Sequence, residues 1–565
     1  MRDVTAQENV AAAVSPAPKP RSAPRLRGGA VMMLGSLASR ITGFVRAAVV
    51  VAALGTALLG DAYNVANTVP NIVYILLIGG ALNSVFVPEL VRAAKEHADG
   101  GAAYTDRLLT LCLVALTAIT AVAVLAAPWI VSAYTDYTGA QRDLTVALAR
   151  YCLPQILFYG VFTVLGQVLN ARDRFGAMMW TPVLNNVVVI AVFGLYLAIA
   201  DSAGSAGAVS NGQLLLLGMG STLGIAVQAL ALLPSLRAAG FRWRPRFDWR
   251  ASGLGRPVRA AVWTLLLVLV NQVAYWVVTR LSTSAGARAV AEGVTAGVGY
   301  TAYSSAYQLW VVPQGIVTVS LVTALLPRMS RAAADGDLTV VAADLSRSLR
   351  TTAVAIVPAV LLFLVLAPQL TGVAYQYGNV SEADARAIGW VLMAFAPGLA
   401  AFSAQYVLSR GFYALGDTRT PFLLTLVVAG SNAGLSTAAY VLLPTRWAVA
   451  GIAAAYAVAC TVGLCCTSLA LRRRLGRPLN RVLGTHVRLA AACLPGAVLA
   501  YAVSSWFTDR LGNGLAGNTS GLLLGTVLIG LSVLALARPL RIAEVGDLAA
   551  PLARRLGSRG RHRSS

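Results

Sequence analysis

The sequence is short of charge. Asp, Glu, Lys and Arg make up 12% of its 565 residues, where soluble globular chains carry about 25%. With 57% hydrophobic residues beside that deficit, a soluble fold would leave far more apolar surface than its own core could hide, so lipid is the expected solvent. Histidine is scarcer still: His97, His486 and His562 lie apart, in or near basic segments, which excludes a His-built metal site. The six cysteines (Cys112, Cys152, Cys460, Cys465, Cys466 and Cys493) all lie in apolar stretches. Adjacent Cys465 and Cys466 have no metal-site spacing, and all six read as small hydrophobes in helices. The chain also lacks a Gly-rich phosphate loop closed by Lys and Ser/Thr, a Gly-x-Ser-x-Gly elbow and a His-Glu hydrolase pattern. No enzyme activity and no cofactor are expected. Any transport would draw on a coupling cation or the membrane potential.

Acid is scarce too, with 22 Asp and Glu against 45 Lys and Arg, a net charge of +23. In a soluble protein that balance would suggest nucleic acid. Here no soluble domain is left over to bind it, so no nucleic-acid partner is expected, and the arginines read as the basic loops of a membrane protein.

Long apolar runs are abundant. A helical span needs about 20 apolar residues, and such runs recur about fourteen times between residues 29 and 537. Residues 1–28, rich in Ala, Pro, Arg and Ser, read as a disordered cytoplasmic tail with no cleavable signal after it. The loops support an even count. Arg92 and Arg107; Arg172 and Arg174; Arg237, Arg242, Arg244, Arg246 and Arg250; Arg328 and Arg331; Arg410 and Arg419; and Arg472, Arg473, Arg474 and Arg477 all fall in alternate loops, and the last tail is again Arg-rich. The loops between them hold roughly one arginine apiece. By the positive-inside rule the basic loops and both termini are cytoplasmic, in a plasma-membrane protein.

The chain echoes itself. "FVPELVRAA" closes the second run with Pro88 and Arg92; "LLPRMSRAA" closes the eighth with Pro327 and Arg331; Pro182 after the fourth run answers Pro421 after the tenth. All three pairs stand 239 residues apart. A repeat of six helices keeps both halves in one orientation, the parallel repeat of transporters that rock one lobe against the other around a central site. The expected fold is therefore an all-α polytopic membrane protein: lobe one at 29–240, lobe two at 257–472, two added spans at 485–538 and a basic cytoplasmic tail at 539–565.

Charge inside a membrane is costly and usually functional. The first run, "GSLASRITGFVRAAVVVAALG", holds Arg40 and Arg46, with Ser39 and Thr42 beside them. Six residues of helix put the two arginines about 120° apart, and Arg40 about 18 Å into the run. Either they line one broad cavity or they snorkel to cytoplasmic headgroups. Asp61, Asn64, Asn67 and Asn71 share a face of the second run at spacings of three and four. That polar stripe faces either a cavity or another helix. Asn185, Asn186, Asn271, Gln272, Gln308, Gln314 and Gln405 read individually as packing contacts.

Taken together, "SRITGFVRAAVVVAALG", "DAYNVANTVPNIV", "FVPELVRAA", "LPQILFYGVFTVLGQVLNARDRFGAMMWTPVLNN", "LLPRMSRAA", "YQYGNVSEADA" and "GFYALGDTRTPF" resemble the MurJ/MviN lipid II flippases of the multidrug/oligosaccharidyl-lipid/polysaccharide exporter superfamily. The resemblance covers about 29 to about 535. It implies two six-helix lobes in a V with two C-terminal helices forming a groove for the lipid tail. It implies lipid II as the cargo, membrane lipids and the cell-wall synthesis machinery as partners, and alternating access coupled to the membrane potential or a cation. It matches Ser39, Arg40 and Arg46 to the ligands of the lipid-linked pyrophosphate, and Asp61 to an outer-side acid. The sequence departs from better-studied members at Ala47, Tyr74, Gln308 and Val311, where those carry charge. The cationic cavity is thus expected to be thinner, with Arg40 and Arg46 carrying more of the load and Asn64, Asn67 and Gln308 completing the polar lining. Two alternatives remain: a flippase or antiporter for another substrate, such as a different polyprenyl-pyrophosphate oligosaccharide, and a non-transporting scaffold of envelope synthesis. Mid-membrane charges that are basic rather than acidic argue against an antiporter.

Overall fold

A computed structural model describes residues 23–76, 90, 92, 99, 101–172, 174, 176–199, 209–248, 255–294, 297–476 and 481–546. Residues 77–89, which hold Pro88 of the repeat, and most of both expected tails (1–22 and 547–565) lie outside the described residues.

Among the described residues every regular element is a helix. The first lobe runs α1 (Ala23–Leu54), α2 (Leu58–Leu76), α3 (Ala102–Leu125) with the short α4 (Ala127–Tyr134), α5 (Gly139–Cys152) continued by α6 (Gln155–Asn170), α7 (Gly176–Ile199), and α8 (Asn211–Leu230) with the short α9 (Leu233–Ala238). The second runs α10 (Gly255–Ala291), α11 (Tyr300–Pro313), a π-helical turn at Gln314–Thr318, α12 (Val319–Ala334), α13 (Leu338–Tyr375), α14 (Glu382–Ala414), α15 (Arg419–Leu442) and α16 (Thr445–Leu475). Two more helices follow, α17 (Val482–Leu511) and α18 (Leu515–Ala537). Among the described residues twelve helices, or thirteen with the bent stretch Tyr300–Ala334 counted as one, are long and apolar enough to cross a membrane. With α2, whose continuation is not described, this agrees with the expected count of about fourteen.

The helices pair in a pattern that repeats. In the first lobe α1 packs on α7, α7 on α8, α2 on α5 and α6, α3 on α6, and α5 and α6 on α8. In the second, α10 packs on α15, α15 on α16, α11 on α14, α13 on α14, and α14 on α16. Shifted by six spans, the two sets are the same, as a parallel repeat requires. Each lobe has its own core. One closes around Phe193, Tyr196, Leu148 and Ile156; the other around Trp310, which is fully buried and lies 5.5 Å from the Phe395 ring and 5.7 Å from Tyr456. At the Arg-rich end, the motif around Asp417 ties the start of α15 to the end of α16. Asp417 accepts from the Thr420 backbone (3.0 Å) and hydroxyl (2.6 Å) and pairs with Arg474. Partial burial works to raise its pKa, but those bonds and Arg474 outweigh it and hold the carboxyl below its ordinary value.

α17 and α18 form a hairpin against α13, with Leu489, Cys493, Ile529 and Val533 packed on Ala353, Val357 and Leu366. Small residues allow the close approach, since helices in lipid associate through packing rather than hydrophobic exclusion. A Cβ on Gly496 would fall 2.6 Å from the Leu528 carbonyl oxygen and 2.8 Å from Ile529 Cα. Backbone cannot give way as a side chain can. Gly496→Leu is therefore expected to separate the hairpin at a cost of about 3 kcal/mol or more, seen as proteolysis between α16 and α17 at concentrations the parent resists. Unchanged protease resistance would mean the two helices sit farther apart.

Candidate functional site

One end of the two-lobe body is shut by hydrogen bonds between the lobes, and Asp61 is their centre. It lies in the first turn of α2 and is 3% exposed. Its carboxylate accepts the backbone N–H of Tyr300 (3.0 Å) and of Thr301 (2.6 Å). These are the first amides of α11, a helix whose own N-cap residue, Gly299, offers no side chain. Helix N-termini leave such amides unpaired and carry partial positive charge, so a carboxylate from the opposite lobe caps α11. Asp61 and Tyr300 are 239 residues apart, the offset of the sequence repeat. Equivalent positions of the two lobes therefore meet here, on the pseudo-twofold axis between them.

The neighbouring contacts are reciprocal. Asn379, in the loop after α13, donates to the carbonyls of Ala52 (2.8 Å) and Ala53 (2.7 Å) at the end of α1, and the Thr56 hydroxyl reaches Asp384 at 2.7 Å. In return, the loop after α4 meets α10. Thr283 donates to the Tyr134 carbonyl (2.9 Å), Trp276 to the Ala133 carbonyl (3.0 Å) and Ser284 to Asp136 (2.5 Å), while Arg280 pairs with Asp136. Asn64 adds a bond to the Thr301 hydroxyl at 3.0 Å.

Glycine makes the Asp61 seat possible. Gly299 has φ +156°, and a Cβ there would overlap Asp61 Oδ2; one on Gly286 would lie 3.0 Å from the same oxygen. Gly299→Ala is expected to expel the carboxylate and cost about 1–3 kcal/mol in backbone strain alone. The check is a disulfide between Thr56→Cys and Asp384→Cys, which is expected to form readily in the parent and several-fold more slowly beside Gly299→Ala.

Away from that end the second lobe holds a cavity of about 850 Å³, whose polar lining includes Asn271, Gln272, Gln308, Gln405, Asn432 and the hydroxyl-bearing rings Tyr303, Tyr307 and Tyr456, with Asn71 reaching it from the first lobe. Arg410 also lines it, its guanidinium 4.4 Å from the Tyr406 ring centre and 5.4 Å from that of Tyr413. Amides and tyrosines offer hydrogen bonds of both senses and flat apolar faces, a lining suited to a sugar- and peptide-rich molecule.

Arg40 and Arg46 diverge as their spacing predicts. Arg40 reaches toward the opposite lobe: a Cβ on Gly315, in the π-helical turn, would lie 3.2 Å from Arg40 Nη1. Gly315 is seven residues from Gln308 on that continuous helix, about 10 Å along its axis. Arg46 stays in its own lobe, half-buried, within Coulombic reach of Tyr63 and Tyr159. Neither arginine is ion-paired among the described residues. Asn186 of α7 holds this part of α1, donating to the Ser39 carbonyl (3.1 Å) and the Thr42 hydroxyl (2.9 Å).

The seven residues singled out from sequence thus divide. Gln308 lines the second-lobe cavity, Arg40 reaches across to Gly315, and Arg46 stays half-buried in its own lobe. Ser39 sits at the α1–α7 contact, and Asp61 and Asn64 latch lobe to lobe. Asn67 accepts from Gln155 (2.9 Å) and donates to the Tyr63 carbonyl (3.0 Å), joining α2 to α6 inside the first lobe. Sequence reasoning passed over Arg410, counted there as a loop residue, and the tyrosines; only the cluster of Tyr and Gln along 303–308 and 405–413 hinted at them.

Comparison with known proteins is consistent. The family model described as "Lipid II flippase MurJ" matches residues 50–516. A protein of Rhizobium tropici described as a probable lipid II flippase MurJ is 27% identical over 508 residues, covering 88% of this chain and 90% of that protein. The lipid II flippase MurJ of Burkholderia cenocepacia is 28% identical over 404 residues, covering 70% and 74%. Among solved structures, a lipid II flippase MurJ in an inward closed conformation superposes with TM-score 0.71 at 17% identity, covering 90% of this chain and 99% of that one. An inward-facing multidrug resistance transporter of the MATE family, in the MOP superfamily, gives 0.60 at 16% identity, covering 78% and 94%. At these identities the two structures speak for the fold alone.

Proposed function

This chain belongs to the MurJ family of lipid II flippases, and from that membership we infer how its lobes, cleft and cavity share the work. It is a multi-pass membrane transporter that flips lipid II, the lipid-linked peptidoglycan precursor, and not an enzyme. The observation that carries the division of labour is the pair of α1 arginines without ion pairs among the described residues, beside the lobe-to-lobe seal around Asp61.

By the positive-inside rule, the alternating Arg content of the loops supports a cytoplasmic basic end and cytoplasmic termini. The sealed end around Asp61 is then the outer one, and the cleft opens to the cytoplasm. A pyrophosphate, carrying about two negative charges, is held by Arg40 and Arg46, whose guanidinium forks match phosphate oxygens and whose charge is strengthened where water is scarce. The disaccharide and peptide lie in the amide- and tyrosine-lined cavity with Gln308, while the polyprenyl tail stays in lipid along α17 and α18. Release outward requires the lobes to rock apart at the outer end, breaking the Asp61 cap and the reciprocal loop contacts, and to close at the cytoplasmic end. The membrane potential or a coupling cation drives the cycle, and the enzymes that use lipid II at the outer face are the expected partners.

Complementation tests this reading. A bacterium depleted of its own flippase and supplied with this chain is expected to regain growth and outer-face exposure of lipid II. Normal membrane expression with no exposed lipid II would overturn it.

A further inference from the structure

The segment joining the two lobes has a use that flipping does not require. Residues 241–248 read Phe-Arg-Trp-Arg-Pro-Arg-Phe-Asp, an alternation of ring-bearing and arginine side chains. The segment is neither helix nor turn.

The structure pins this segment across the first turns of α3. Arg244 N–H donates to Asp106 (3.1 Å), Arg246 N–H to the Thr110 hydroxyl (3.0 Å), the Trp243 indole to the same hydroxyl (3.3 Å), and Arg107 binds Asp248 at 2.9 Å. Phe241 is buried beneath the Arg172 guanidinium. Asp106 and Thr110 mark where α3 passes from polar to apolar sequence, so the segment lies at the level of lipid headgroups. Arg242 and Arg244 are exposed there.

Beneath it, between α3, α6 and α9, is a chamber of about 730 Å³. Its walls are apolar and lie deeper along the spans: Leu109, Leu113, Leu116, Val161 and Leu165. Its rim is Arg237, Arg242 and Trp243. A soluble anion has no use for such walls, and walls made of membrane spans are reached from the bilayer rather than by a protein. A hydrocarbon chain below a phosphate satisfies both parts at once, and Trp at this level is the usual interfacial anchor. Basic side chains beside a membrane draw anionic lipid.

We infer that this chamber and its arginine rim bind an anionic glycerophospholipid, with the phosphate at Arg237 and Arg242, the exposed Arg244 beside them, and an acyl chain among the leucines. The occupant is a resident lipid rather than the transported one, because the chamber is built from spans three, four and six, away from the Arg40–Gly315 approach between the lobes. Binding there holds the inter-lobe linker on the first lobe.

The test is native mass spectrometry of the purified full-length chain titrated with phosphatidylglycerol or phosphatidylcholine of identical chains. Phosphatidylglycerol is expected to bind at least tenfold tighter. Arg237→Gln/Arg242→Gln/Arg244→Gln is expected to remove that preference, and Arg472→Gln/Arg473→Gln to leave it intact. Leu113→Trp, which fills the chamber and spares the rim, is expected to weaken binding of both lipids at least fivefold. Any of four results overturns the proposal: no preference in the parent, equal loss in the Arg472/Arg473 variant, unchanged binding in Leu113→Trp, or displacement of phosphatidylglycerol by stoichiometric lipid II.

Discussion

Arg40→Ala and Arg46→Ala are each expected to abolish rescue of flippase-depleted cells, and Arg473→Ala to leave rescue intact. A hydrogen bond to a charged partner contributes about 1.5–3 kcal/mol, and each 1.4 kcal/mol is a factor of ten in affinity. Loss of one arginine therefore weakens pyrophosphate capture by about tenfold to a hundredfold. Arg410 also lines the second-lobe cavity, but its guanidinium lies against the Tyr406 and Tyr413 rings, so it is expected to compensate only in part. Arg473 has the same chemistry at the exposed end of α16, so the contrast separates a cleft role from a general need for basic residues. Arg40→Lys sits between, since an ammonium keeps the charge and loses the fork. Lipid II exposure at the outer face, measured at matched membrane expression, gives the ranking. Equal tolerance of Arg40→Ala, Arg46→Ala and Arg473→Ala would instead mean that both first-span arginines merely snorkel.

Asp61→Ala has the opposite character: it is expected to weaken the outer seal rather than substrate capture. Removing the carboxylate leaves the Tyr300 and Thr301 amides buried without partners, and a buried group stripped of its partner costs about 1–3 kcal/mol. Since the carboxylate belongs to one lobe and the amides to the other, the whole cost falls on the sealed state. The balance between sealed and open lobes then shifts by about tenfold to a hundredfold. Disulfide formation between Thr56→Cys and Asp384→Cys is expected to slow by that order, and Asp61→Asn, which keeps one acceptor, to slow it less. The exposed Arg280–Asp136 pair makes a useful contrast, because such pairs contribute about 0–1 kcal/mol; Arg280→Gln is expected to change the cross-linking rate by less than fivefold. Equal effects of the Asp61 and Arg280 variants would refute the central place given to the cap.

What was legible from sequence follows from the cost of placing residues in lipid. Apolar runs had to be about a span long, arginines had to gather in alternate loops, and Arg40 and Arg46 were conspicuous because a charged residue in a span is rarely idle. The 239-residue offset was visible because Pro and Arg close equivalent helices in both halves, and the helix pairings follow the same six-span shift. Periodicity also showed that Asp61, Asn64 and Asn67 share a face, but not what the face meets. In the fold Asn64 binds Thr301 in the other lobe and Asn67 binds Gln155 in its own. Asn, Gln and Tyr are ambiguous because the same groups line cavities and join helices, so the second-lobe cavity and the Arg410–tyrosine cluster needed three dimensions. The Asp61 cap is the clearest case. Its two shortest contacts run to backbone amides, which every residue but proline possesses, so the side chains at 300 and 301 give little sign of it. Sequence determined the spans and the mid-membrane charge, because those depend on each residue's own transfer into lipid. Which polar groups meet across the two lobes was decided only by tertiary structure, because that depends on where helices more than two hundred residues apart come to rest.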